Sequence, residues 1–327
     1  MGEKIEKELK WAVLGTGVIA NEMAQALEKM GKKLYAVANR TYDKAVEFAE
    51  KYGVQKVYDK IEDMFTDKET DIIYITTPHN THIKFMIEAL KNGKHVLCEK
   101  SITLNSEELE EAVKIAKEKN LILGEAMTIF NMPLYTELSE IVNSGKLGDV
   151  KMIQVNFGSY KEYDMSNRFF NRNLAGGALL DIGVYAISIT RLFMLSKPDN
   201  VLSQVKYAPT GVDEQVGIIM MNKEQQMSTI ALTLHSKQPK RVVIACEKAY
   251  IEITEYPRAD KAKIVYTETG EVEEITAGMT SNALQYELQN MEESVKTGIN
   301  KMKLEYTIDV MDIMTKLRKD WGMTYPE

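Results

Sequence analysis

Apolar positions in this chain fall into two regimes, with the change near residue 126. Before it, short continuous apolar runs alternate with stretches in which apolar residues recur every three or four positions. Residues 11–14, 34–38, 71–76, 95–100 and 121–124 read as strands, and continuous apolar runs suit strands covered on both faces. Between them, Ile19, Met23, Ala26, Leu27 and Met30 fall at helical spacing, as do Ala45, Phe48, Ala49 and Tyr52. Ile83, Met86, Ile87 and Leu90 repeat the pattern, followed by Leu109, Ala112, Val113 and Ala116. Gly31, Gly53 and Gly93 stand where three of these helices should stop. Repeated strand–helix units of this length predict a parallel sheet with right-handed crossovers.

Past residue 126 that rhythm stops. Residues 133–143 read as a helix ended by Ser144-Gly145, and after Gly148 the period becomes two. Ile153, Val155 and Phe157 share one face of that strand, and Met152, Gln154 and Asn156 share the other. Further strands are expected at 201–207, 216–221, 227–234, 242–253 and 262–267. Consecutive strands without intervening helices predict an antiparallel sheet. The face carrying Gln154, Asn156, Thr229 and Thr233 is semi-polar, and fits either solvent or a second subunit. Leu284, Leu288, Met291 and Val295 predict a helix ending at Thr297-Gly298, and Ile308, Met311, Met314 and Leu317 predict a last one before Trp321. The fold class is therefore α/β: a doubly wound parallel sheet of the Rossmann type over residues 1–126, then an α+β domain over 127–327 built on a large, mostly antiparallel sheet.

The first strand runs directly into Gly15-Thr16-Gly17-Val18-Ile19-Ala20, and a helix pattern follows at once. Strand, glycine turn and helix N-terminus together form a cradle for a dinucleotide pyrophosphate. Gly15 permits the turn, Gly17 lets the backbone approach the phosphates, and unpaired helix N–H groups hold the anion. The second strand ends in Asn39-Arg40, where a site selective for NAD usually carries a carboxylate against the ribose hydroxyls. A guanidinium there can instead pair with a 2′-phosphate, so NADP is favoured. If Arg40 is only a solvated cation, NAD is accommodated through Asn39.

Composition narrows the picture without changing it. The 327 residues suffice for two domains, with 44% hydrophobic and 27% charged residues as in soluble globular proteins. A net charge of −7 without a basic cluster argues against nucleic-acid binding. The segment Met-Gly-Glu-Lys-Ile-Glu-Lys at the start is charged and lacks an apolar signal region, and no apolar stretch approaches the roughly 18 residues of a membrane span, so a cytoplasmic protein is expected. Cys98 and Cys246 lie in apolar strand-like runs and are expected to be reduced core residues. His79, His82, His95 and His235 have no ligand spacing, and no metal site is expected. The 19 methionines read as core filling.

Several separated motifs together resemble the Gfo/Idh/MocA oxidoreductases: the glycine turn, Thr77-Pro78-x-x-x-His82, and Gly93-Lys-His-Val-Leu-Cys-Glu99-Lys100. The family's Glu-Lys-Pro motif stands here as Glu99-Lys100-Ser101. Leu174-Ala-Gly-Gly-Ala-Leu-Leu-Asp181-Ile-Gly-Val-Tyr185 is similar to its Gly-Gly-Gly-x-Leu-x-Asp-x-Gly-x-His/Tyr segment, with Ala175 replacing the first glycine. The resemblance implies a Rossmann domain joined to a C-terminal sheet domain, NADP or NAD as cofactor, and a homodimer or higher oligomer formed through that sheet. It places Gly15, Thr16, Gly17, Val18, Ile19, Asn39, Arg40, Thr77, Pro78, Asn80, His82, Glu99 and Lys100 against the cofactor. It also implies a sugar or cyclic diol as substrate. Glu125-Ala126-Met127 resembles a junction segment after which many relatives carry an arginine. Phe130 at that position implies a less polar pocket wall.

The run Ile182, Ala186, Ile189, Leu192 is helical, so Asp181 and Tyr185 share a face and can reach one pocket. Alternatively, Asp181 is a helix cap and Tyr185 a core aromatic. Hydride transfer from an alcohol carbon requires its hydroxyl to lose a proton, so an acid/base must lie within hydrogen-bond reach. The expected roles are Tyr185 as acid/base, Lys100 lowering its pKa and binding the substrate hydroxyl, and Asp181 orienting both. Arg168 and Arg172 precede this segment as pocket cations or solvated loop residues. A polyol dehydrogenase using NAD and a cofactor-binding sensor without turnover are the alternative functions. A sensor needs the cradle but not Lys100, Asp181 and Tyr185.

Overall fold

A computed structural model describes residues 8–326, so the charged N-terminal segment lies outside the described residues. In the first half, β1 (Trp11–Leu14), α1 (Val18–Lys29), β2 (Ala36–Ala38), α2 (Tyr42–Tyr52), β3 (Lys56–Tyr58) and α3 (Ile61–Thr66) come first. β4 (Ile72–Ile75), α4 (His82–Lys91), β5 (His95–Glu99), α5 (Ser106–Glu118) and β6 (Leu123–Ala126) complete it. The six strands are all parallel, in the order β3-β2-β1-β4-β5-β6. The reversal of strand order at β1 and β4, with successive connections leaving in opposite directions, opens a crevice at their carboxyl ends. β1, β4 and the centre of β5 are fully buried, as their unbroken apolar runs require. β3 and α3 had no periodic signal, because Lys56-Val57-Tyr58 is too short and polar to alternate.

The second half contains α6 (Thr128–Asn131), α7 (Pro133–Asn143), β7 (Val150–Gly158), α8 (Val184–Phe193), β8 (Asn200–Tyr207), β9 (Asp213–Met221) and β10 (Met227–Thr233). β11 (Gln238–Cys246), β12 (Ala249–Thr254), β13 (Lys261–Tyr266), β14 (Val272–Thr276), α9 (Ala283–Thr297) and α10 (Leu304–Asp320) follow. Its eight strands run β14-β13-β12-β11-β7-β10-β9-β8. β7 sits in the interior, with one meander on each side. α8 separates β7 from β8, so the β8–β9–β10 meander returns with β10 parallel to β7, while every other pairing is antiparallel. The single strand expected over 242–253 is a hairpin that turns at Glu247-Lys248. β14 carries two glutamates at the sheet edge and lacked an alternating signal.

α8 packs against β7 and β10, covering the face that carries Ile153, Val155 and Phe157. Arg172–Phe193, which ends in α8, holds an 18-residue window apolar enough to pass as a membrane span, contrary to the expectation from the sequence, but 78% of that window is buried inside the fold. It belongs to the core.

The two halves are joined by more than the chain. α9 packs on α1, placing Leu284, Leu288 and Met291 in the same core as Trp11, Met23 and Leu27. Trp11 Nε1 donates to Glu292 at 3.0 Å, and Asn300 Nδ2 donates to the Leu123 carbonyl at 2.8 Å. Gly124 lies so close to Met302 that a Cβ would sit 2.7 Å from its Cγ. The parallel sheet therefore leans on helices supplied by the far end of the chain.

Candidate active site

The glycine turn lies at the carboxyl end of β1. Gly15 has φ +109°, and a Cβ there would fall 2.5 Å from Thr76 Oγ1, so the close approach of β4 excludes a side chain. Gly17 meets no atom within 4 Å, and that open space is what an approaching pyrophosphate would use. α1 begins there without a capping side chain and without an acid in its first turn, leaving its N–H dipoles directed at the space. Asn21 Nδ2 donates to the Thr16 and Gly17 carbonyls at 3.3 and 2.9 Å and holds the turn in shape. These features fit a dinucleotide.

Two adjoining cavities follow from this turn. One, of about 610 Å³, is lined by Gly15, Thr16, Gly17, Asn39, Arg40, Thr77, Pro78 and Asn80, all expected from the sequence. The second, of about 470 Å³, is lined by Val18, Ile19, Glu99, Lys100 and Tyr185, again as expected. Gly17, Thr76, Thr77, Pro78 and Leu174 line both, so the two are one groove. Asn80 Nδ2 donates across the groove to the Asn173 carbonyl at 3.3 Å.

His82 is a correction. It lines neither cavity and is fully buried, with its ring nitrogens 2.7 Å from the Thr77 carbonyl and 3.1 Å from the Ser101 carbonyl. It ties the β4 turn to the β5 turn. Phe130 is another: it is buried against Tyr306, with ring centroids 5.8 Å apart, and does not line either cavity. Arg168 and Arg172 separate cleanly. Arg168 lines the second cavity, whereas Arg172 donates to the Thr324 carbonyl at 2.9 and 2.7 Å and braces the C-terminal segment.

Lys44, Glu62 and Glu22 also line the groove without a motif to mark them, as does His79, which the sequence placed only outside any metal-ligand spacing. Lys44 lies four residues after Arg40, on the first turn of α2, and that spacing was the available signal. Glu22 pairs with Arg258 at 3.0 Å across the two halves, a contact no sequence pattern could reveal.

Lys100 directly follows β5, and its peptide bond to Ser101 is cis although residue 101 is not proline. Its Nζ donates to the Asp181 carbonyl at 2.8 Å, lies 3.2 Å from Asp181 Oδ1, and sits 4.9 Å from the centre of the Tyr185 ring. Arg168 Nη2 lies 3.6 Å from the same Oδ1. Asp181 and Tyr185 are held by one continuous helix whose entry is wider than expected: Leu179–Gly183 is a π turn running into α8. Such turns recur at functional sites because they displace side chains from regular α register.

Electrostatics follow from this packing. Burial opposes the Lys100 charge, but Asp181, Tyr185 and Glu99 outweigh it and hold the ammonium form well above its ordinary range. Burial also opposes the Asp181 charge, yet Lys100, Arg168 and His79 keep its carboxyl below the usual range. For Tyr185 burial wins: the phenol is pushed up, against a downward pull from Lys100. Burial, with help from His82 and Lys100, lowers His79 to about 3, so its ring is neutral. Its Nε2 lies 3.0 Å from the Lys100 carbonyl, which accepts from it.

Residues 9–127 match the family model described as the oxidoreductase family with an NAD-binding Rossmann fold, and residues 135–252 match the GFO/IDH/MocA C-terminal domain. The chain belongs to the Gfo/Idh/MocA oxidoreductases. It is 30% identical to the trans-1,2-dihydrobenzene-1,2-diol dehydrogenase of Xenopus laevis, over 97% of this chain and 99% of that protein. Identity to the human protein of the same name is 26%, over 98% of each chain. Among solved structures, a 3-ketoreductase from Actinomadura kijaniata in complex with NADP superposes with a TM-score of 0.83 at 19% identity, covering 95% of this chain and 96% of that one. A levoglucosan dehydrogenase in complex with NADH and levoglucosan gives 0.84 at 16%, covering 97% and 98%. The shared fold is a Rossmann domain followed by a mostly antiparallel sheet domain.

Proposed function

We propose that this oxidoreductase exchanges hydride between NADP and a secondary hydroxyl or carbonyl of a cyclic trans-diol or a sugar. The observation that carries the reading is the juxtaposition of Lys100, Asp181 and Tyr185 in a cavity continuous with the glycine turn. Full-length similarity to the dihydrodiol dehydrogenases supports the substrate class. Arg40 and Lys44 at the far end of the groove support NADP, since two cations there can pair with a 2′-phosphate. Glu62 on the same wall can accept from ribose hydroxyls, which keeps NAD usable.

The chemistry that a bound nicotinamide contributes is hydride exchange. The proton is the protein's task. With its pKa pushed up by burial, Tyr185 is a neutral phenol near pH 7, the form needed to donate to a carbonyl oxygen as hydride arrives at carbon. The Lys100 ammonium beside its ring stabilises the phenolate left behind and the developing alkoxide. Asp181 holds that ammonium through carbonyl and carboxylate. In the oxidative direction Tyr185 must first lose its proton, so oxidation gains rate with rising pH whereas reduction does not.

The outer face of the C-terminal sheet carries Met152, Met221, Met227, Leu202, Ile219 and Tyr250 among polar residues, with Leu202, Ile219 and Tyr250 exposed. A second copy of the chain covering that face would give a homodimer, as the family resemblance implies. Both cysteines are free thiols, which fits a reducing compartment such as the cytoplasm. The test is an assay of trans-1,2-dihydrobenzene-1,2-diol, xylose, levoglucosan and inositol with NADP and with NAD, followed by absorbance of the reduced nicotinamide. Turnover of the diol or an aldose, faster with NADP, is expected. NADPH binding without turnover of any of them would favour a sensor instead.

A further inference from the structure

Asp213 opens β9 and is fully buried. Its Oδ2 accepts from the Leu179 N–H at 2.6 Å, at the start of the helix that carries Asp181 and Tyr185. A helix N-terminus leaves its first N–H groups unpaired, and an acid contributed by a neighbouring residue commonly satisfies them. Here the acid comes from a different strand, 34 residues away. Room for it depends on Gly177, which has φ +125°; a Cβ there would fall 2.1 Å from Asp213 Oδ1. The second glycine of Gly176-Gly177 is thereby explained as the opening through which Asp213 reaches the helix.

The same turn is held from its other side. Tyr325, near the end of the chain, donates from its hydroxyl to the Gly176 carbonyl at 2.6 Å, and Arg172 ties the turn to Thr324. Arg318 of α10 lies over the Tyr325 ring at 5.2 Å. Arg318 and Tyr325 are the charged and titratable groups facing the Asp213 carboxyl, and Arg172 faces Tyr325. Asp213 Oδ1 has no hydrogen-bond partner, and burial raises the carboxyl to about 7, so its fixed contact is the one to the Leu179 N–H.

We propose that Asp213, backed by Tyr325, is a positioning residue for proton transfer: through the Leu179 N–H it fixes the helix entry that sets Asp181 and Tyr185 against Lys100. This rests on the reading of Tyr185 and Lys100 as the proton-transfer groups. Asp181 is two residues beyond the clamped N–H, and its carbonyl and carboxylate meet Lys100 at 2.8 and 3.2 Å. A shift of about 1 Å in such a constellation costs about 100-fold in rate. The dinucleotide cradle lies on separate elements and should be insensitive to it.

The experiment compares full-length Asp213→Ala and Asp213→Asn with wild type and with Tyr185→Phe. It measures kcat with trans-1,2-dihydrobenzene-1,2-diol and NADP, NADPH affinity by fluorescence, and amide hydrogen exchange over residues 178–186. In Asp213→Ala, kcat should fall about 10- to 100-fold, NADPH affinity should stay within about twofold, and exchange over 178–186 should quicken about tenfold. Asp213→Asn keeps an oxygen acceptor for Leu179 and should restore most of kcat and of the protection. The inference is overturned if Asp213→Ala keeps kcat within about threefold, if Asn is as impaired as Ala, or if NADPH affinity falls with kcat. Should Asp213→Ala not fold, Tyr325→Phe replaces it: kcat should drop at unchanged NADPH affinity, and unchanged kcat overturns the inference. Normal turnover by Tyr185→Phe would instead sink the underlying catalytic reading, while the exchange result would still judge the clamp.

Discussion

The two ends of the groove are made in different ways. The dinucleotide end is mostly backbone: a glycine turn, an uncapped helix N-terminus and exposed cations at its rim. The end proposed for proton transfer is mostly side chain. Lys100, Asp181 and Tyr185 come from a β5 end and a helix of the other half, and half-buried contacts hold them together. The contrast shows how binding and chemistry can vary separately within one fold. A cradle of N–H groups is built from neighbours in the chain, whereas a half-buried cluster of charges has to be assembled from distant segments.

If that division is right, substitutions at the two ends should affect different measurements. Lys100→Met should have the largest effect, lowering kcat by about 1000-fold because it removes the charge facing both Asp181 and Tyr185. NADPH affinity should fall far less, and an equal loss of both would merge the two ends into one unit.

Glu125 comes next. It is buried beneath the lysine end, accepting from the Ile102 N–H at 3.1 Å and from Thr307 Oγ1 at 3.0 Å, and burial raises its carboxyl to about 7. A carboxyl raised on folding contributes stability that is complete below its unfolded pKa and lost as pH rises through 7. Glu125→Gln should therefore flatten the loss of thermal stability of the wild type between about pH 4.5 and 7, on the order of 3 kcal/mol. Parallel melting curves for the two proteins across that window would show that Glu125 does not titrate there.

The glycines separate fold from binding within the cradle itself. Gly15→Ala should cost about 2 kcal/mol of folding stability, because its Cβ meets Thr76 and its φ is positive. Gly17→Ala has open space in the free protein and should leave denaturant unfolding unchanged, while weakening NADPH binding about tenfold. The smallest effect belongs to the rim. Arg40→Ala and Lys44→Ala should each weaken NADP binding about fivefold and leave NAD binding alone, since both are exposed. An equal loss for NAD would remove the basis for an NADP preference.

How much could be read beforehand follows the same line. The cradle depends on neighbours in sequence, so Gly15, Gly17, Asn39 and Arg40 and their placement were legible from spacing. The parallel sheet was legible because its inner strands are uninterrupted apolar runs, and the family motifs carried Lys100, Asp181 and Tyr185. What escaped depends on contacts between distant segments. His82 lies on a motif but turns inward to two carbonyls, Phe130 is taken by Tyr306, and the parallel β7–β10 pair arises from the placement of α8. The upward shift of the Tyr185 phenol escaped too. Spacing can place a lysine beside a tyrosine, but the burial that outweighs its charge belongs to the whole fold.

The central claim is that Tyr185 moves the proton while the cradle binds the cofactor independently of it. It is tested most directly by measuring kcat and NADPH affinity together for Tyr185→Phe, which removes only the phenolic oxygen. The account predicts a fall in kcat of at least about 100-fold with NADPH affinity within about twofold of wild type. A kcat within a few-fold of wild type would contradict it.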